Sequence, residues 1–163
     1  MRLFLCYTGL RFGDFVKLDR TYFEPQSGEL VLTTNKTSRG CRIYLNPKAL
    51  AIAERYNFTF RPGTNQDFNR YIKLFLKRYH LFETEEVEEY MSKTRLTRTA
   101  LKREFISCHT GRRTYISLLA ENGFSAYEIM SATGHTQVNT VMRYIDLFGT
   151  KRREKFVALN KLI

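Results

Sequence analysis

Five short patterns in this chain hold residue types that handle charge and protons on a phosphate ester. In order they are Tyr7-Thr8-Gly9-Leu10-Arg11-Phe12-Gly13-Asp14, Asn35-Lys36-Thr37, His109-Thr110-Gly111-Arg112-Arg113-Thr114, Thr133-Gly134-His135 and Tyr144, nine residues past that histidine. A phosphodiester approaching its transition state gathers charge on two non-bridging oxygens. Planar guanidinium groups match that geometry with paired hydrogen bonds, and Arg11 and Arg112 are the candidates for such a clamp. A phenol can form a covalent intermediate, an ammonium on a polar turn can deliver a proton, and imidazoles can move one. Singly, each residue has a plainer reading. Arg11 is a surface arginine, Lys36 a solvated turn lysine, His109 with Arg112 a surface pair, His135 part of a helix start, and Tyr144 one of ten tyrosines packed under an amphipathic helix.

The ordered set resembles the catalytic domain of the tyrosine recombinase (phage integrase) family. That family has an arginine in a TGLR segment, a lysine in a β-hairpin turn, an HxxR box, a GH box and a tyrosine nine residues on. The resemblance runs from about Cys6 to Tyr144, and all six side chains are present. Three positions depart from the common pattern: Thr133 stands where Leu is usual, Asp146 follows the tyrosine where His or Lys is frequent, and Gly13 replaces a frequent Ser. The resemblance implies an α+β, mostly α-helical domain with a small antiparallel β-sheet near the N-terminus. It also implies six catalytic residues, Arg11, Lys36, His109, Arg112, His135 and Tyr144. Tyr144 is then the nucleophile that links to a DNA 3′-phosphate and frees a 5′-hydroxyl. Lys36 protonates that leaving oxygen, His109 assists proton removal from Tyr144, and His135 hydrogen-bonds a phosphate oxygen. Asp14 is expected to orient Arg11. No cofactor or metal is implied, since two fixed arginines supply the charge that Mg²⁺ supplies elsewhere.

The partner implied is double-stranded DNA, handled by a homo-oligomer, a tetramer on DNA, that exchanges C-terminal segments between protomers. Lys151 to Ile163 reads as that segment, with Phe156, Val157, Leu159, Leu162 and Ile163 on one side. Full-length relatives carry an N-terminal helical domain that grips the other side of the DNA. This chain starts at or just before the TGLR segment and is expected to be a fragment or truncated product, one domain over residues 1–163. Two rival functions are a type IB topoisomerase-like DNA relaxation and a DNA-binding module that keeps the fold without chemistry.

The elements that must position these residues can be read from spacing. Residues 1–8 read as a helix broken by Gly9, and helical spacing resumes from Arg11 to Leu18. A small antiparallel sheet is expected between Tyr22 and Leu45 around the polar turn Asn35 to Gly40. Asn46-Pro47 provides an N-cap and a first-turn proline for a helix to about Arg55. Asn65 to His80 is amphipathic, with Phe68, Tyr71, Ile72, Phe75, Leu76 and Tyr79 on one side. Glu83 to Arg103 reads as a surface excursion. Helices follow from His109 to Glu121, from Ser125 to the stop at Gly134, and from Gln137 to Ile145.

Composition agrees with a nucleic-acid partner. The chain has 163 residues, 43% of them hydrophobic, with 27 Lys and Arg against 16 Asp and Glu, so the net charge is +11. Lys73, Lys77, Arg78, Lys93, Arg95, Arg98, Lys102 and Arg103 are candidates to hold the phosphate backbone without reading sequence. No apolar run approaches the ~20 residues that span a bilayer, and the three cysteines lack the paired spacing of a zinc site. A cytoplasmic, nucleoid-associated protein is expected.

Overall fold

The computed structural model describes residues 1–34, 38, 40–91 and 96–146. Helix α1 (Arg2–Thr8) ends at Gly9 in the left-handed conformation, φ 63°, whose N–H reaches back to Leu5 O. Helix α2 is a single turn, Phe12–Phe15, rather than the longer run to Leu18 expected from spacing. The chain leaves the helix because Asp19 caps a separate 3₁₀ turn at Arg20–Tyr22, its carboxylate accepting from Thr21 N. Three strands follow, β1 (Phe23–Glu24), β2 (Glu29–Thr33) and β3 (Gly40–Tyr44), in an antiparallel sheet of order β1-β2-β3. Leu30 pairs Ile43 and Leu32 pairs Cys41, so both strands bury alternate residues on one face.

Helix α3 (Pro47–Arg55) begins where the sequence indicates: Asn46 Oδ1 accepts from Ala49 N at 2.9 Å, with proline in the first turn. Helix α4 (Asn65–Arg78), capped by Thr64, buries Phe68, Ile72 and Leu76. Tyr71, Phe75 and Tyr79 instead stand 50%, 44% and 58% exposed, so the apolar stripe facing the core is narrower than the pattern suggested. Phe75 finds cover from the Arg2 guanidinium, 5.0 Å from its ring centre, and from the Tyr79 ring.

The surface excursion read at Glu83 to Arg103 contains two strands. Strands β4 (Glu86–Met91) and β5 (Leu96–Leu101) pair as an antiparallel hairpin, and α5 (Lys102–Phe105) follows directly. Helix α6 (Cys108–Glu121) packs along α1, and α7 (Ala126–Thr133) and α8 (Val138–Asp146) pack against it and each other. The expected capping box at Ser125 is present, with Glu128 returning to the Ser125 N–H. Two cores result. The larger joins α1, the sheet, α3 and α4 around Phe4, Phe15 and Phe60; the smaller is Ile116, Ile129 and Val141 between α6, α7 and α8. The domain is α+β and mostly helical, as the resemblance implied. Lys36 and the tail Lys151 to Ile163 lie outside the described residues.

Candidate functional site

The site lies where the two cores meet. Gly111 brings α6 onto α1: a Cβ there would stand 3.0 Å from Leu5 Cβ and 3.2 Å from the Leu5 carbonyl carbon. That close approach delivers the next residue, Arg112, to the C-terminal end of α1. Gly9 is constrained twice, by its positive φ and by the Tyr115 ring, which a Cβ would meet at 2.3 Å. At the start of α6, Asn69 of α4 accepts from the Cys108 N–H at 2.8 Å, and Ser107 and Thr110 form a reciprocal cap.

Arg112 is only 2% exposed, far from the surface position that arginine usually takes. Its Nη1 donates to Gly9 O at 2.7 Å, and its Nη2 donates to Thr133 O at 2.7 Å. One guanidinium therefore ties the end of α1 to the end of α7. The His135 ring lies beside it, Nε2 at 3.1 Å and Nδ1 at 3.4 Å from Nη2. Burial, followed by the charge of Arg11, pulls the Arg112 pKa down to about 10, while Cys41, Asp14 and Tyr144 pull it back up. Arg112 remains a cation at neutral pH. The same facts place Arg11, Asp14 and Tyr144 within electrostatic reach of it.

Arg11 is the N-cap residue of α2, in extended conformation directly after the Gly9 turn. Its Nη1 is buried with no hydrogen-bond partner among the described residues. An unmatched buried donor on a cation, beside a second buried cation, marks a place prepared for an anion. Asp14 is 4% exposed and contributes negative charge at Cys41 and Arg112.

His135 follows the left-handed Gly134 cap of α7, φ 65°. Gly134 lies so close to the sheet that a Cβ would fall 2.9 Å from both Cys41 Sγ and Thr34 Cγ2. The histidine pKa is lowered to about 4, first by burial and then by Arg112, Arg11 and His109, so the free site holds a neutral imidazole. His109, in the first turn of α6, is exposed. Tyr144 on α8 is half-buried and packs against the Ile116, Ile129 and Val141 cluster. Four of the expected residues, Arg11, His109, His135 and Tyr144, thus gather with Arg112, and the sixth, Lys36, is outside the described residues. The buried Thr133 joins them through both its carbonyl and its hydroxyl, and sequence reasoning had treated it only as a departure from pattern. The described residues hold no cluster of His, Cys, Asp and Glu suited to a metal ion, and no helix long and apolar enough to cross a membrane.

Fold and site together describe a mostly helical domain in which two arginines lie near a histidine and a tyrosine. Residues 1–150 match the model of the phage integrase family, and the chain belongs to that family. It is 24% identical over 146 residues to the TnP I resolvase of Bacillus thuringiensis, covering 86% of this chain and 46% of that protein. Among solved structures, the Tn1549 transposon integrase in complex with transposon right end DNA superposes with a TM-score of 0.66 at 15% identity, covering 96% of this chain and 57% of that one. XerA recombinase gives a TM-score of 0.66 at 16% identity, with 94% and 53% covered. The chain spans about half the length of these relatives.

Proposed function

We propose that this chain is the catalytic portion of a site-specific DNA recombinase, which cuts and rejoins strands through a phosphotyrosine at Tyr144. The carrying observation is Arg112, buried and held by Gly9 O and Thr133 O, next to Arg11 with its unmatched buried Nη1. A scissile phosphate seated there would meet the Arg112 guanidinium, whose position is set before it arrives, with the Arg11 guanidinium nearby, and preorganised charge of that kind stabilises developing charge effectively.

In this reading the Tyr144 oxygen attacks phosphorus, the bond from phosphorus to the 5′-oxygen breaks, and DNA stays joined to the protein through its 3′-phosphate. His109, exposed at the start of α6, takes the phenol proton. Lys36 gives a proton to the departing 5′-oxygen. Rejoining reverses each transfer with a different 5′-hydroxyl. The two arginines carry the charge, so no metal ion is required. The +11 net charge and the DNA-bound state of the Tn1549 integrase relative favour a DNA duplex as substrate. The active assembly is a tetramer on DNA, with C-terminal segments exchanged between protomers.

The test is incubation with nicked DNA carrying candidate sites, followed by a denaturing gel for a protein–DNA adduct. The adduct is expected in the presence of EDTA, and Tyr144→Phe abolishes it while changing DNA affinity little. An adduct that survives Tyr144→Phe, or one that EDTA removes and Mg²⁺ restores, overturns the mechanism.

A further inference from the structure

We infer that Thr133 is a positioning residue whose hydroxyl fixes His135 in the Nδ1–H tautomer and leaves Nε2 bare. The inference rests on the recombinase reading only for its kinetic consequence, because the tautomer is a property of the free protein.

The argument is an accounting of protons. Thr133 Oγ1 lies 2.5 Å from Ile129 O and 2.6 Å from His135 Nδ1. A carbonyl oxygen can only accept, so the single hydroxyl proton goes to Ile129 O and Oγ1 keeps lone pairs for the ring. Nδ1 must then be the donor. A neutral imidazole has one N–H, which leaves Nε2 bare; Arg112 Nη2 lies 3.1 Å from Nε2 and 3.4 Å from Nδ1, off the line of either nitrogen's lone pair. The opposite tautomer would have the hydroxyl donate to Nδ1 and would leave Thr133 Oγ1 2.5 Å from Ile129 O with no proton between the two oxygens. The first arrangement gives the hydroxyl, Nδ1 and Ile129 O matching partners, and the second does not.

The charged and titratable groups around the ring are Arg112 and His109 from α6 and Arg11 from the start of α2, all of which oppose protonation. The ring is therefore neutral, and its tautomer is a real choice. Thr133 acts at both ends of the pair, since its carbonyl holds Arg112 Nη2 at 2.7 Å while its hydroxyl holds the ring. In this tautomer Nε2 is the one ring atom able to take up a proton. A bound phosphate would offset the two arginines, and the proton gained would appear on the nitrogen that adjoins Arg112. A leucine in place of Thr133 offers the carbonyl but no such control.

The experiment is long-range ¹H–¹⁵N correlation spectroscopy on histidine-labelled full-length chain, with adduct formation measured in parallel. The wild-type His135 signals are expected to show a protonated Nδ1 and a bare Nε2. Thr133→Val, nearly the same shape, should mix or invert that pattern and slow adduct formation by roughly tenfold or more, the scale seen when an orienting partner of a histidine is lost. DNA affinity should stay within about twofold of wild type, since no phosphate-facing cation is removed. Thr133→Ser should restore both the pattern and the rate. A wild-type spectrum with Nε2 protonated, or a Thr133→Val spectrum unchanged from wild type, overturns the inference. A wild-type protein that never forms an adduct overturns the recombinase reading instead, and the spectra still decide the role of Thr133.

Discussion

Replacing Gly134 by alanine tests whether the junction between α7 and His135 is as tightly constrained as its geometry indicates. Two separate costs arise. The left-handed backbone at φ 65° is unfavourable for any residue with a Cβ, by about 1–2 kcal/mol. The new methyl group also falls 2.9 Å from Cys41 Sγ and 2.9 Å from Thr34 Cγ2, in a part of the sheet where both residues are buried. Overpacking of that kind costs about 1–3 kcal/mol. The stiffer unfolded chain returns about 0.4–1 kcal/mol. The net loss should be about 2–4 kcal/mol, read as a lowered urea midpoint in a domain small enough for two-state analysis. The two costs can be separated. Cys41→Ala with Thr34→Ser removes the nearest atoms, so adding Gly134→Ala to that background should cost only the backbone part, about 1 kcal/mol after the unfolded-state gain. A loss under about 0.5 kcal/mol in the wild-type background, or an equal loss in both, would refute the steric argument, because independent sites simply add to that accuracy.

Two further predictions concern charge. His135 has a folded pKa of about 4 against an ordinary 6.5, so between those values the unfolded chain binds the extra proton and stability falls as pH falls. The full shift would be worth about 3 kcal/mol, but the ring is partly exposed and screening should reduce this to about 1–2 kcal/mol. The difference between wild type and His135→Gln in urea unfolding at pH 7 and pH 4.5 isolates it, and parallel pH profiles would contradict the assignment. DNA binding by this chain should be strongly salt-dependent: with about five phosphate contacts, log affinity falls against log salt with a slope near −4.5. A salt-insensitive complex in a titration from low to moderate salt would show that the +11 charge is not what holds the DNA.

Some of this architecture was legible because the signals are local. Asn46-Pro47, the Ser125 to Glu128 box and Gly134 each satisfy or end a helix within one turn of themselves, and all three act as read. The β4–β5 hairpin gave no such signal. Its strands run Glu86 to Met91 and Leu96 to Leu101, and the acidic cluster through Glu89 breaks the apolar alternation by which a strand packed on a core is recognised. Pairing between the two strands, Val87 with Ala100 and Tyr90 with Thr97, supplies the order instead. Helix α4 shows the reverse error. Its aromatics recur at helical spacing, but only the Phe68, Ile72, Leu76 row meets the core, and periodicity cannot say how wide the covered face is.

The site shows a deeper limit of the same kind. Side-chain identity and order along the chain pointed to Arg11, His109, Arg112, His135 and Tyr144 through the family resemblance that the ordered set carries. What holds Arg112 among them is main chain: Gly9 O and Thr133 O, each accepting from Arg112 at 2.7 Å. Every residue has a carbonyl, so sequence does not mark the two that matter. The neighbouring glycines are its indirect trace. Gly9 itself, Gly111 beside Arg112 and Gly134 after Thr133 are sites where a Cβ would strike Tyr115, Leu5 or Cys41. Their absent side chains let α1, α6, α7 and the sheet approach closely enough for one guanidinium to reach two carbonyls. The chemistry is therefore written in the charged residues, and the geometry in the glycines beside them.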